Sequence, residues 1–481
     1  MIAGLRQKTV RSLLWVFIDT IGQRLLQFIV TIILARLLMP EEFGLIGMIT
    51  VFIVFSGVFI DSGFSFALIR EKEVTSNEFD TVFWFNFLIS CLFYILLWLF
   101  SAPIAAFYKQ PILETLIKAV GLNLIFKAAT GIQDINLRRE LRFKELTIIG
   151  IISKVSSGFV SIIMAYKGFG VWCLIVQELL SNFIRSLLLF FFNRYIPKIR
   201  FSFSVFRNLF KFSSKLLYAS IINSIVGNIY PIIIGKYFTA SDVGYFNRAY
   251  SLQQLPVGLF TGIIQQVSLP SFSKIQDYES KFKFAYKKAI KLSVFTILLP
   301  LAILFIVAKP LILFLLTEKW LPAAPMLKVL SIGGIFYPLS ALNVNIIGIK
   351  GRSDILMYLQ FLKDFLTLLG ASVGILWGIE GLVYSFTITS ILSYYLNALA
   401  ANKVIDYPLF EQLKDIFPFL GISILSGMIG YLMGNLIDII IYKLIVIIVS
   451  SFVSYIFLSI IFEREMINEI KVSVRIILNK I

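Results

Sequence analysis

The sequence predicts an all-α polytopic membrane protein, and three observations predict it. Of its 481 residues, 58% are hydrophobic and only 15% are charged, where a soluble domain carries about a quarter charged residues. Apolar runs of about 20 residues, the length that crosses a hydrocarbon core, recur from end to end. These runs are continuous rather than alternating polar and apolar, which excludes a membrane β-barrel.

Taken in order, fourteen stretches qualify as spans, at about 12–37, 43–67, 80–100, 112–133, 146–166, 170–192, 212–235, 243–267, 288–308, 324–348, 355–377, 381–401, 416–434 and 439–462. The first follows a basic flank of Arg6, Lys8 and Arg11, as a signal peptide would. It is too long for one and carries an internal Arg, so an uncleaved first helix is expected. Pro231, Pro256, Pro300 and Pro338 fall within spans and predict bends. The last stretch, 463–481, alternates charge with Ile, Val and Leu and predicts a cytoplasmic amphipathic tail.

The 44 Lys and Arg against 27 Asp and Glu give a net charge of +17. With the N-terminus in the cytoplasm, 28 of the 44 fall in inside segments and six in outside connections. That bias places both termini in the cytoplasm. It also removes a nucleic-acid partner, because the basic residues sort by topology rather than gathering in one patch. Cys91 and Cys173 both sit in apolar runs and imply no disulfide framework. Histidine is absent, which removes His-based zinc sites, Ser-His-Asp triads and Cys-His nucleophiles. No P-loop and no metal-holding carboxylate pair outside a span occur. Neither enzymatic activity nor a cofactor is expected.

A repeat organises the chain. Ile33–Gly44 (ILARLLMPEEFG) and Ile233–Gly244 (IIGKYFTASDVG) share apolar helix, base, short turn, acid and glycine at an offset of 200. Spans 1–6 and 7–12 therefore form two pseudo-symmetric six-helix bundles, with a substrate site expected between them. The expected domains are an N-terminal bundle (1–192), a basic cytoplasmic linker (193–211), a C-terminal bundle (212–401), two additional helices (402–462) and the tail (463–481).

Charges inside spans are costly and mark function by default. In the first span Asp19, Gln23, Arg24 and Gln27 share one face of a helix that is otherwise apolar. Such a wet stripe lines a polar cavity. The cations deep in spans are Arg24, Lys127, Lys154, Arg185 and Lys363, and they suit an anionic substrate, with Gln23 and Gln27 beside Arg24. The acids Asp19, Asp61, Glu178 and Asp364 are candidates for ion coupling or for neutralising a nearby cation. Asp61 also reads as part of a helix-terminating turn. At the repeat offset Asp19 and Arg24 correspond to Ala219 and Ser224, so the charged stripe belongs to the first half alone.

The stretches LARLLMPEEFGLIGM (34–48), DSGFSFALI (61–69), LRRELRFKEL (137–146) and GYFNRAYSLQQLP (244–256) together resemble the polysaccharide transporter family. These are the Wzx-type and colanic-acid-type exporters of the multidrug/oligosaccharidyl-lipid/polysaccharide flippase superfamily. The resemblance implies a flippase that moves undecaprenyl-pyrophosphate-linked oligosaccharide across the bacterial cytoplasmic membrane by alternating access. Its partners would be the lipid-linked glycan, membrane lipid and the polysaccharide polymerase machinery. It also implies a role for a first-helix arginine, a place that Arg24 occupies. An ion-coupled small-molecule antiporter of the same superfamily is the alternative.

Overall fold

The computed structural model describes residues 2–61, 63–70, 74–193, 195–464 and 466–468. Among them every long element is an α-helix. In chain order these are α1 (Ile2–Leu37), α2 (Pro40–Asp61), α3 (Phe64–Arg70), α4 (Ser76–Tyr108), α5 (Ile112–Val120), α6 (Leu122–Arg139), α7 (Phe143–Tyr166), α8 (Trp172–Asn193) and α9 (Phe203–Gly227). They continue as α10 (Ile229–Tyr237), α11 (Ala240–Ser273), α12 (Glu279–Leu316), α13 (Ala323–Gly334), α14 (Phe336–Ile349), α15 (Ser353–Gly374), α16 (Gly378–Ile405), α17 (Leu409–Gly434) and α18 (Ile440–Phe462). The protein is a multi-pass membrane protein. Eleven stretches among the described residues are long and apolar enough to cross a bilayer, and one of them, Ser353–Ile405, holds both α15 and α16. The expected spans at 112–133 and 243–267 are helical too. They are more polar than the other eleven, since α6 and α11 carry Lys127, Gln133, Arg248 and Gln253 among their apolar residues. Most of the expected tail, from residue 469 on, lies outside the described residues.

Local chemistry explains where the helices start and stop. Thr75 and Glu78 cap each other's backbone at the start of α4, and Ser202 caps α9 through the Val205 amide. Asp61 accepts from the backbone and hydroxyl of Ser65 in the first turn of α3. Three expected spans are broken in mid-course, at Gly121, Asn228 and Ile335. The last two breaks place Pro231 and Pro338 in the first turn of a new helix, where an amide N–H has no intrahelical partner to lose.

The chain divides into two compact units, Met1–Gly244 and Tyr245–Ile481. The first therefore includes α9 and α10, which the sequence repeat assigns to the second half. Its apolar core joins Phe64 and Leu68 of α3, Phe79 and Phe83 of α4, Ile132 of α6 and Leu209 of α9. The segment between α8 and α9 is strapped to α4. Asp80, 1% exposed, accepts from the Tyr195 hydroxyl and the Lys198 amide, while Trp84 donates to the Lys198 carbonyl at 2.7 Å. Burial and the Asp80 acceptor hold the Tyr195 phenol protonated, above the usual range. In the second unit, Tyr286 and Ile290 of α12, Leu342 of α14, Tyr394 of α16 and Phe419 of α17 form the core. Lys287 and Lys291 bridge to Glu411 and Asp415 at 2.9–3.2 Å and fasten α17 to α12.

The repeated segments carry the same devices. Glu42 caps the Met39 amide at 2.7 Å and Asp242 caps the Thr239 amide at 3.0 Å. At the starts of α2 and α11 the backbones meet reciprocally: a Cβ on Gly44 would stand 2.5 Å from the Ala240 carbonyl carbon, and one on Gly244 would stand 3.0 Å from that of Pro40. Only glycine permits this approach. Ahead of α7 and of α15, a left-handed residue (Leu141, Gly351) precedes an arginine (Arg142, Arg352), and each arginine pairs with an acid a few residues on (Glu145, Asp354).

Candidate functional site

The charges of the first unit lie on a run of helices packed side by side: α1 on α7, α7 on α8, and α8 on α6. Small residues let α1 and α7 approach closely. A Cβ on Gly150 would stand 2.8 Å from the Gln23 side-chain carbon, and one on Gly158 would stand 2.7 Å from Val30. The two helices run parallel, and Lys154 falls between these contacts, level with Gln23–Val30.

Each sequence-derived candidate can now be placed. On α1, Gln23 donates to Asp19 at 2.6 Å and Gln27 to Thr31 at 3.4 Å, while Arg24 is exposed. Across α6 and α8, Lys127 pairs with Glu178 at 3.4 Å and Arg185 with Asp134 at 2.6 Å. Asp134 also accepts from Arg138 one turn on. Asn182 donates to Asn123 at 2.9 Å between the same helices. Arg185 and Asp19 are the charges felt by Lys154. Lys154 and Arg24 themselves have no ion-pair partner among the described residues.

The sequence did not single out Asp134, although it neutralises two arginines. Its one sequence signal is the Asp134–Arg138 spacing, which places the pair on one helical face. Asp61 serves as the cap described above. The remaining two candidates lie in the second unit, on α15. Asp364 is 8% exposed, accepts from Gln360 at 2.8 Å through one carboxylate oxygen, and leaves the other oxygen without a protein donor. Lys363 is half-buried beside it.

The first unit thus carries, on α1 and α7, two cations without an ion-pair partner among the described residues. Among the described residues it has no nucleophile with an adjacent base and no cluster of metal-ligating side chains.

Residues 33–325 match the family described as "polysaccharide biosynthesis protein". The chain belongs to that family. Among similar curated proteins, the lipopolysaccharide biosynthesis protein WzxC of Escherichia coli is 26% identical over 442 residues, spanning 90% of this chain and 88% of its own. The teichuronic acid biosynthesis protein TuaB of Bacillus subtilis is 27% identical over 347 residues, covering 72% of each chain. Among solved structures, the lipid II flippase MurJ in an inward closed conformation superposes with a TM-score of 0.77 at 18% identity, over 95% of this chain and all of its own. An inward-facing MATE multidrug transporter reaches 0.65 at 16% identity, over 82% and 98%. This polysaccharide biosynthesis protein therefore has the fold of the multidrug/oligosaccharidyl-lipid/polysaccharide superfamily, as the sequence motifs implied.

Proposed function

We propose that this polysaccharide biosynthesis protein is a flippase. It moves undecaprenyl-pyrophosphate-linked oligosaccharide across the bacterial cytoplasmic membrane by alternating access, for assembly of a surface polysaccharide. In this reading all fourteen apolar stretches span the bilayer, with both termini in the cytoplasm and polymerase machinery receiving the product outside.

The observation that carries the proposal is the pair Arg24 and Lys154. A cation within a span costs about 2.5–3.5 kcal/mol to place, and the neighbouring cations Lys127 and Arg185 are neutralised by acids. Arg24 and Lys154 have no ion-pair partner among the described residues and are open to a ligand. A pyrophosphate supplies the missing negative charge, and the Arg24 fork matches two of its oxygens. The lipid tail meanwhile stays in the bilayer. Asp364 supports coupling of the cycle to a cation, because its free oxygen sits in a place with no protein donor.

The test is complementation of a deletion strain, reading lipid-linked oligosaccharide on each face of the membrane. Arg24→Gln and Lys154→Gln should insert and fold normally yet leave the intermediate at the inner leaflet. Normal export by both variants would sink the assignment. A strain that accumulates no lipid-linked oligosaccharide on deletion, and instead gains sensitivity to cationic drugs, would favour the antiporter reading.

A further inference from the structure

The helical hairpin α15–α16 carries a groove of about 610 Å³ that the charged wall of the first unit does not involve. Its two sides are facing stripes at helical spacing: Leu366, Leu369 and Val373 on α15, and Tyr384, Ile388 and Leu392 on α16. The helices touch near the turn, where a Cβ on Gly374 would stand 2.9 Å from the Gly381 carbonyl oxygen. From the start of α16 at Gly378 to Leu392 the groove runs roughly 21 Å at 1.5 Å per residue. That is more than half of a hydrocarbon core about 30 Å thick.

The depth of the groove offers nothing to a polar ligand. Its hydroxyls on Ser385 and Thr389 donate to the carbonyls of Leu382 and Phe386, both at 2.9 Å. A glycan, with several hydroxyls per ring, would leave them unmatched there. A hydrocarbon chain suits it. The mouth is different. Glu380 is exposed, has no ion-pair partner among the described residues, and is the only charge lining the groove. Beside it stand the exposed rings of Trp377 (69%) and Tyr384 (54%). A free carboxylate with two aromatic faces attracts an ammonium group and repels a phosphate that brings no cation of its own.

We propose that the α15–α16 groove is a binding site for an aminophospholipid. One acyl chain lies between the apolar stripes, and the ethanolamine ammonium sits at Glu380 between Trp377 and Tyr384. The site is independent of the anion site proposed on the first unit and takes a lipid of opposite headgroup chemistry.

The test uses the full chain in detergent with equimolar phosphatidylethanolamine and phosphatidylglycerol of the same acyl chains, with retained lipid counted by native mass spectrometry. The unsubstituted protein should retain the ethanolamine lipid over the glycerol lipid by about fivefold, the ratio expected from one interfacial ion pair. Glu380→Gln should bring the two lipids to near parity, and Ile388→Trp, which fills the groove, should lower retention of both. Thermal midpoints of all three proteins confirm that each is folded. Retention without preference in the unsubstituted protein, or an undiminished preference in Glu380→Gln, overturns the proposal. So does displacement of the ethanolamine lipid by undecaprenyl phosphate as readily as by itself, which would assign the groove to a polyprenyl tail.

Discussion

Replacing Gly44 by Ala inserts one methyl group at the tightest backbone crossing of the first unit. The new Cβ would stand 2.5 Å from the Ala240 carbonyl carbon and 3.1 Å from the Gly244 amide, inside an ordinary 3.4 Å contact, with the carbonyl oxygen nearer still. All of these neighbours are backbone, so no side chain can swing aside and the starts of α2 and α11 must separate. Overpacking typically costs about 1–3 kcal/mol, and an all-backbone clash belongs at the top of that range. A drop on the order of 5 °C in thermal midpoint is expected. Gly244→Ala meets Pro40 and Gly44 from the other side and should cost less, since its Cβ would be 3.0 Å from the Pro40 carbonyl carbon. The decisive measurement is the double variant. One separation of the two helices relieves both clashes, so the combined loss should fall well short of the sum of the single losses. Melting of the three purified proteins in one detergent reads this directly. Additive losses, or a neutral Gly44→Ala, would show that the helices do not cross there.

Other outcomes follow from the charge network and the turns. Asp134→Ala should lower stability by about 1–3 kcal/mol, since it strands Arg185, only a quarter exposed, while Arg185→Ala should cost less because Asp134 keeps its pair with Arg138; a double-mutant cycle measured by thermal unfolding should show positive coupling. Asp415→Ala removes the acceptor of Lys287, Lys291 and the Tyr407 hydroxyl. It should therefore destabilise more than Glu411→Ala, which removes one bond to Lys287, in the same assay. Asp364→Asn keeps an acceptor for Gln360 and removes a buried charge, so the thermal midpoint should hold or rise while gradient-driven transport in vesicles falls; unchanged transport would remove Asp364 from the coupling reading.

Much of this architecture is written in short-range patterns. Apolar runs located the helices because bilayer thickness sets their length, and the cap residues Thr75, Glu78, Glu42 and Asp242 act within three positions of themselves. The offset of 200 sets Gly44 and Gly244 in matching turns of the sequence. What stayed hidden depends on contacts between distant segments. Whether Lys127 and Arg185 are paired is decided by where α6 lies against α8, some fifty residues away. Asp134 lies just past an expected span, and only the packing of α6 on α8 shows it to be the acid that pairs with Arg185. The polar spacing of α1 was legible in the sequence. The close fit of Gln23 against Gly150 was not, because it needs α7 alongside.

The residence of α9 and α10 in the first unit bears on how the chain is made. When the first 193 residues have been synthesised, Phe64, Phe83 and their neighbours still lack the cover that Leu209, Phe206 and Phe210 will supply. The first unit therefore cannot finish folding until α9 has entered the membrane behind it. The short strap at Asp80 holds α9 within reach as it emerges.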